Sequence, residues 1–282
     1  MRLTVTAHSF EHLPLDGALS LVHHLGFRGV DMSGFHARGR LGFEPQDILT
    51  DTPGQAERLN QALEKYGLEC VDFFPQFGTA PELQSINDPD PDIRAQTLDF
   101  IRACAEFCQR THTTGMTILP GVVHEGRTFE ENFQLAGEML NRASEITADY
   151  GVQLRFEPHM GSLLSTPELT IRLIDTYAPN VRVTLDYAHF LLQYVPVERI
   201  HALLPYAGHF HLRPARPGKL QTRHIEGTLD WDDILTRLKA TGYNGAVSIE
   251  YVCMAWYDCN QLDTITETLT TKEALEPLFE RL

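Results

Sequence analysis

The sequence predicts a single (β/α)8 barrel, a TIM barrel, spanning residues 1–282 as one domain. Three observations carry that expectation. Eight short runs with strand periodicity alternate with helical runs along the chain. Neither a shift in composition nor a long linker interrupts them. The length, 282 residues, suits eight βα units. An open doubly wound sheet is the competing architecture, but no G-x-G-x-x-G follows the first strand and no G-x-x-x-x-G-K-[ST] occurs.

Taken in order, residues 3–8 alternate as a first strand, and 14–25 read as a helix with Leu15, Leu19 and Val22 on one face. Gly26 stops it, and GFRGVDM is the second strand. A helix over 55–66 carries Leu59 and Leu63 and ends at Gly67, before the strand LECVDFF. The helix at 90–109 can be capped by Asp90 or Asp92, with Pro91 in its first turn; MTILPGV follows as fourth strand. The long helix at 129–150 ends at Gly151, and VQLRFEP is the fifth strand. After a helix at 167–177 comes VRVTLD, the clearest strand of all. Val181, Val183 and Leu185 face one way, and Arg182, Thr184 and Asp186 the other. A short helix at 196–204 precedes AGHFHLRP, a helix at 231–240 with Asp230 as cap precedes AVSIEYV, and 272–282 closes the chain as a helix.

The totals exclude several classes. A formal charge of −15 argues against a nucleic-acid partner, which calls for a basic face. No apolar run approaches the ~20 residues a membrane span needs, and MRLTVTAHSF is too short and polar for a secretory signal. Five cysteines, an odd number without C-x-x-C spacing, read as buried free thiols in a reducing, cytoplasmic setting.

Catalytic groups of such a barrel sit at the C-terminal strand ends. Strand five ends in Glu157, strand six in Asp186, strand seven in His211 and strand eight in Glu250. Four consecutive strands thus each offer one ligand at one height. Three bare carboxylates so close would repel one another, and one divalent metal ion resolves this. The oxygen-rich set suits Mn2+ or Mg2+, with Co2+ or Zn2+ also admissible. Two residues earlier, Arg155, Thr184, His209 and Ser248 share the inward faces and form a supporting layer or simply pack there.

These motifs carry a resemblance. FEPH, LDYAH, GHFHLRPARPG, EGTLDW and GYNGAVSIEY are similar to segments of the xylose isomerase-like barrel superfamily, the sugar phosphate isomerase/epimerase group. The resemblance spans nearly the whole chain. It implies Glu157, Asp186, His211 and Glu250 as metal ligands, His189 as a substrate-binding or ligand-supporting group, and Arg216 as a substrate contact. The chain departs from the ketose 3-epimerases at three points. Leu163 stands where they carry a second glutamate, the arginine follows His211 by five residues instead of six, and KLQTRHI replaces a short glycine-rich turn. The third strand, DFFPQFG, lacks the histidine that the endonuclease branch uses.

The chemistry expected is proton transfer through an enediolate on a small polyhydroxylated keto substrate: a ketose, a keto-acid sugar or an inosose. Glu157 and Glu250 are the candidate catalytic groups of an isomerase or epimerase. The alternative is a lyase that dehydrates a 2-keto-polyol or dehydroshikimate-like substrate, and a third reading is a non-catalytic sugar-binding barrel. His8, His124 and His159 lie at the same mouth as substrate contacts or packed histidines, and Trp256 and Tyr257 as pocket walls or loop residues. Arg213, Arg216 and Arg223 form either a positive patch or solvated loop arginines. The resemblance also makes a homo-oligomer, dimer or tetramer, an expectation.

Overall fold

Branched and aromatic residues repeating with period two build eight strands, and the computed structural model, which describes residues 1–35 and 41–282, places all eight in one sheet. They are β1 (Arg2–Thr6), β2 (Gly29–Phe35), β3 (Glu69–Gln76), β4 (Gly115–Ile118), β5 (Gln153–Phe156), β6 (Arg182–Asp186), β7 (Ala207–Leu212) and β8 (Ala246–Ile249). Every neighbouring pair is parallel, and β8 closes on β1 with Arg2 opposite Ala246. This is the (β/α)8 barrel expected.

The connecting helices are α1 (Leu15–His24), α2 (Pro45–Thr50), α3 (Thr52–Tyr66), α4 (Pro91–Arg110), α5 (Phe129–Ala148), α6 (Pro167–Tyr177), α7 (Tyr187–Leu192), α8 (Val197–Ile200), α9 (Trp231–Ala240) and α10 (Thr264–Arg281). Local chemistry sets their starts. Asp51, Asp90, Thr166, Asp230 and Asp263 each accept a backbone N–H at a helix start, and Thr128 with Glu131 forms a capping box. Each cap contributes about 1 kcal/mol.

Four boundaries differ from expectation. His8 lies in a 3-10 turn, Ala7–Phe10, just beyond β1. The short α2 carries only Pro45 as a start signal and was not foreseen. Residues 196–204 split into α8 and a 3-10 segment, His201–Tyr206, that contains Pro205. α10 starts eight residues early because its buried face is made of Thr264, Thr268 and Thr271, which hydropathy does not mark as core. No helix among the described residues is long and apolar enough to cross a membrane. All five cysteines are free.

Outward-facing strand residues such as Val183 and Leu185 are wholly buried against the helices. The inward positions are polar. Thr4 and Ser248 hydroxyls lie 2.6 Å apart, and Thr117 bonds both Thr184 and Asp72 at 2.6 Å. Arg155 meets Asp72 at 2.7 Å, and His209 meets Asp31 at 2.7 Å. The layer foreseen one step below the ligand row is therefore a hydrogen-bonded floor. Gly115 leaves room for it, since a Cβ there would stand 2.2 Å from the Arg155 Cζ.

Arg155→Met is expected to destabilise the barrel by about 3–5 kcal/mol, because it leaves Asp72 as a buried, unpaired charge. Denaturant unfolding measures this. The double variant with Asp72→Asn is expected to recover part of the loss, and no recovery would show that Arg155 acts by packing alone.

Candidate active site

Strand register brings the four predicted ligands together. Asp186 stands opposite His211 across β6 and β7, and His211 opposite Ser248 across β7 and β8. Glu157 and Glu250 each lie one residue beyond their strands, yet their amides still bond the neighbouring strand, to Ile118 and Leu212 carbonyls. All four residues are buried, at 5% exposure or less.

His211 sits at the centre. Its Nδ1 is 2.9 Å from Glu157 Oε1 and 2.9 Å from Glu250 Oε2, and its Nε2 is 3.3 Å from Asp31 Oδ2. The other oxygen of each glutamate faces a histidine: Glu250 Oε1 accepts from His8 Nε2 at 2.8 Å, and Glu157 Oε2 lies 3.6 Å from His189 Nε2. His189 Nε2 is also 3.6 Å from Asp186 Oδ2, while Asp186 Oδ1 accepts the Ala188 N–H at 2.8 Å.

Asp186 also meets an arginine. Arg213, wholly buried, places Nε 3.1 Å from Asp186 Oδ2 and Nη2 2.5 Å from Glu250 Oε2. These are ion pairs outside hydrogen-bond angles, so both carboxylate oxygens remain without a hydrogen-bond partner. The inward alternation His209, His211, Arg213 was the signal for this residue, which the sequence offered only as part of a loop patch.

Burial alone would raise every carboxyl here. At Glu157 the nearby imidazoles of His189 and His211 outweigh burial and hold the group well below its usual range. At Glu250 burial is outweighed by the charges of Arg213 and His211. Asp31 is likewise lowered against burial by His209 and His211. At Asp186 burial wins over Arg213 and His189, and the carboxyl is raised. His211, buried but surrounded by Glu250, Asp31 and Glu157, is raised well above an ordinary imidazole.

The donor set fits a cation. Glu157, His211 and Glu250 offer ligand atoms within 4.8 Å of one another, and so do Glu157, Asp186 and His189. Arg213 offsets one of the three carboxylate charges of the predicted ligand set, and a divalent ion would offset the other two.

A cavity of about 290 Å3 opens above this row, and His8, His159, His189 and Trp256 are among the residues that line it. His159 donates Nδ1–H to the Met160 carbonyl at 2.7 Å, and burial lowers its pKa to about 4. Its Nε2 is therefore a lone-pair acceptor at the cavity. Trp256 packs 6.2 Å from His189, centroid to centroid. Arg216 and His124 do not line the cavity. Arg216 is exposed in a turn with Lys219, and His124 bonds the Ser85 hydroxyl at 2.8 Å. Arg223 is exposed as well.

A family model described as xylose isomerase-like TIM barrel matches residues 19–278. The 2-oxo-tetronate isomerase of Haemophilus influenzae is 26% identical over 226 residues, 77% of this chain and 86% of that protein. The inosose dehydratase of Geobacillus kaustophilus is 28% identical over 276 residues, covering 85% and 80%. Among solved structures, a D-tagatose 3-epimerase-like protein superposes with a TM-score of 0.75 at 20% identity, over 100% and 99% of the two chains. The IOLI protein with a bound zinc atom gives 0.71 at 19%, over 98% and 97%.

Proposed function

Since the chain belongs to the xylose isomerase-like TIM barrel family, we propose that it is a divalent-metal-dependent isomerase or epimerase that shifts a proton next to the carbonyl of a hydroxy-ketone. The observation that carries this reading is the convergence of Glu157, Asp186, His211 and Glu250 from four consecutive strands, with the two glutamates flanking His211 Nδ1 at 2.9 Å each. Those four residues would hold the ion. When bound, it supplies electrophilic polarisation of the carbonyl and its neighbouring hydroxyl. The relatives named for isomerase and dehydratase activities, and a neighbour with bound zinc, support the reading.

The protein's own groups then divide the work. One oxygen of each glutamate faces the His211 side and the other faces the cavity. On the cavity side, Glu157 Oε2 and Glu250 Oε1 are positioned to take a proton from one carbon and return it. His189 and His8 stand beside these oxygens and can relay the proton. Return to the opposite face of the same carbon gives an epimer, and return to the adjacent carbon gives the aldose or ketose isomer.

A second reading, dehydration, is favoured by His8. Its Nε2 is held by Glu250 Oε1 at 2.8 Å while its buried Nδ1 has no partner, so His8 carrying protons on both ring nitrogens would have the Nδ1 proton to give to a departing hydroxyl. One experiment separates the readings. Hydroxy-ketones are incubated with protein and Mn2+ or Mg2+ in D2O and followed by NMR. Deuterium beside the carbonyl in an isomeric product supports the isomerase, loss of water supports the lyase, and no exchange in ketose, keto-acid sugar or inosose overturns both.

Asp31 supports this reading from below. Its carboxylate lies on the Nε2 side of His211, leaving Nδ1 to the glutamates. Asp31→Asn is expected to weaken Mn2+ or Mg2+ binding by ~10–100-fold, the usual effect of losing a carboxylate behind a ligand histidine. Calorimetric titration of the metal checks it, and an unchanged affinity would show that His211 does not need this partner.

A further inference from the structure

Among the described residues Arg213 is the largest fully buried side chain and the one lysine or arginine that lines the cavity. Nε and Nη2 lie in ion-pair contact with Asp186 and Glu250, but Nε and Nη1 are both buried without a hydrogen-bond partner, and no carboxylate of the site stands in ion-pair contact with Nη1 in the pairs named above. A guanidinium edge desolvated in this way is unfavourable unless an acceptor meets it. Three imidazole nitrogens on the cavity floor, His8 Nδ1, His159 Nε2 and His189 Nε2, are also unpartnered, but His159 Nε2 is a lone-pair acceptor and offers nothing to a carboxylate oxygen.

The cavity is divided. Its floor holds charge, while Phe35, Phe74, Leu119, Val252, Met254 and Trp256 make an apolar wall, with Gln76 and Thr79 as polar exceptions. A cyclic polyol carries hydroxyls all round and would press several of them against that wall. A short chain with its polar groups at one end avoids this. We propose that Arg213 presents its Nη1 edge to a carboxylate adjacent to the reacting ketone, so that the site takes a short, open-chain 2-keto acid bearing a hydroxyl, in preference to neutral ketoses or inososes. A planar carboxylate matches a guanidinium edge better than a point cation would, and a fixed cation is needed to bring an anion close to Glu157 and Glu250. This deepens the reading above and rests on it for the chemistry at the ketone, but not for the recognition of the anion.

The test is binding of two unreactive probes of matched shape, 2-oxobutanoate and its neutral isostere 2-oxobutanamide, by calorimetry with Mg2+ and again with EDTA. Wild type is expected to prefer the carboxylate by more than about tenfold, the scale of a charged hydrogen bond. Arg213→Met is expected to bring the ratio close to one, and Arg213→Lys, which keeps the charge and loses the planar edge, to an intermediate value. A merely structural role for Arg213 weakens both probes alike and leaves the ratio unchanged, which would overturn the proposal. Equal binding of the two probes by wild type would also overturn it. Should Arg213→Met fail to fold, an unchanged ratio in Arg213→Lys decides against the proposal. A preference that survives EDTA in a protein that binds no Mg2+ upholds Arg213 and removes the metal reading. Mg2+ binding without a carboxylate preference does the reverse.

Discussion

Glu157→Gln is expected to lower turnover by about 10²–10⁴-fold, the range associated with a positioned general acid or base, in a protein that still folds. Glutamine keeps the shape and one carbonyl oxygen, so Oε1 can still face His211 Nδ1. It loses the basic oxygen that stands 3.6 Å from His189. Glu250→Gln is expected to fall by a similar factor, with His8 losing its carboxylate partner at 2.8 Å. The two variants are distinguishable. If the glutamates work on opposite faces of one carbon, each variant loses exchange with D2O for one epimer before the other. If both variants lose exchange for both epimers equally, the two act as a unit and the two-face assignment is wrong. Circular dichroism and melting establish the fold, and metal titration establishes that an ion still binds. Full activity in a metal-loaded Glu157→Gln protein would remove the proton-transfer role from that residue.

The parts of this site that were legible in the sequence are those set by strand periodicity. An apolar strand ending in a carboxylate is visible because period two fixes which side chains point inward, and four such ends in a row left little freedom for Glu157, Asp186, His211 and Glu250. The same period marks Arg155, Thr184, His209 and Ser248 as the layer below. Arg213 obeys it too, but its position after a strand end, beside Pro214 and two other arginines, gave loop solvation equal standing. Asp31 was not singled out, because its partners His209 and His211 come from the far side of the closed barrel and only closure brings them within 3.3 Å. Residues placed by loops were the least legible. Arg216 follows the family spacing by one residue too few and turns back onto Lys219. The threonine face of α10 was hidden for a different reason, since Thr268 and Thr271 are wholly buried with a polar side chain.

The second large effect expected is that of the proposed divalent ion. Stripping with chelator and restoring Mn2+, Mg2+, Co2+ or Zn2+ is expected to raise the melting temperature, since a ligand that binds only the folded chain adds RT ln(1 + [L]/Kd), about 2.7 kcal/mol at a hundredfold excess over Kd. For a chain of this size that corresponds to a rise of roughly 5 °C. Asp186→Asn is expected to abolish the rise. Its carboxylate carries one of the two orphan oxygens beside Arg213, and an amide would leave the guanidinium with Glu250 alone. The pH dependence follows from His211. Its surroundings hold it protonated to well above the ordinary imidazole range, and the proton on Nδ1 occupies the position a metal needs. Binding must therefore displace a proton. Affinity is expected to rise with pH up to the raised pKa of His211 and to level off above it. Calorimetry in buffers of different ionisation enthalpy is expected to show about one proton released per ion bound near neutral pH. If binding releases no proton, His211 is not a ligand; if no ion shifts the melt at all, enolisation at this site loses its electrophile, and the glutamates would then have only Arg213 to stabilise developing charge.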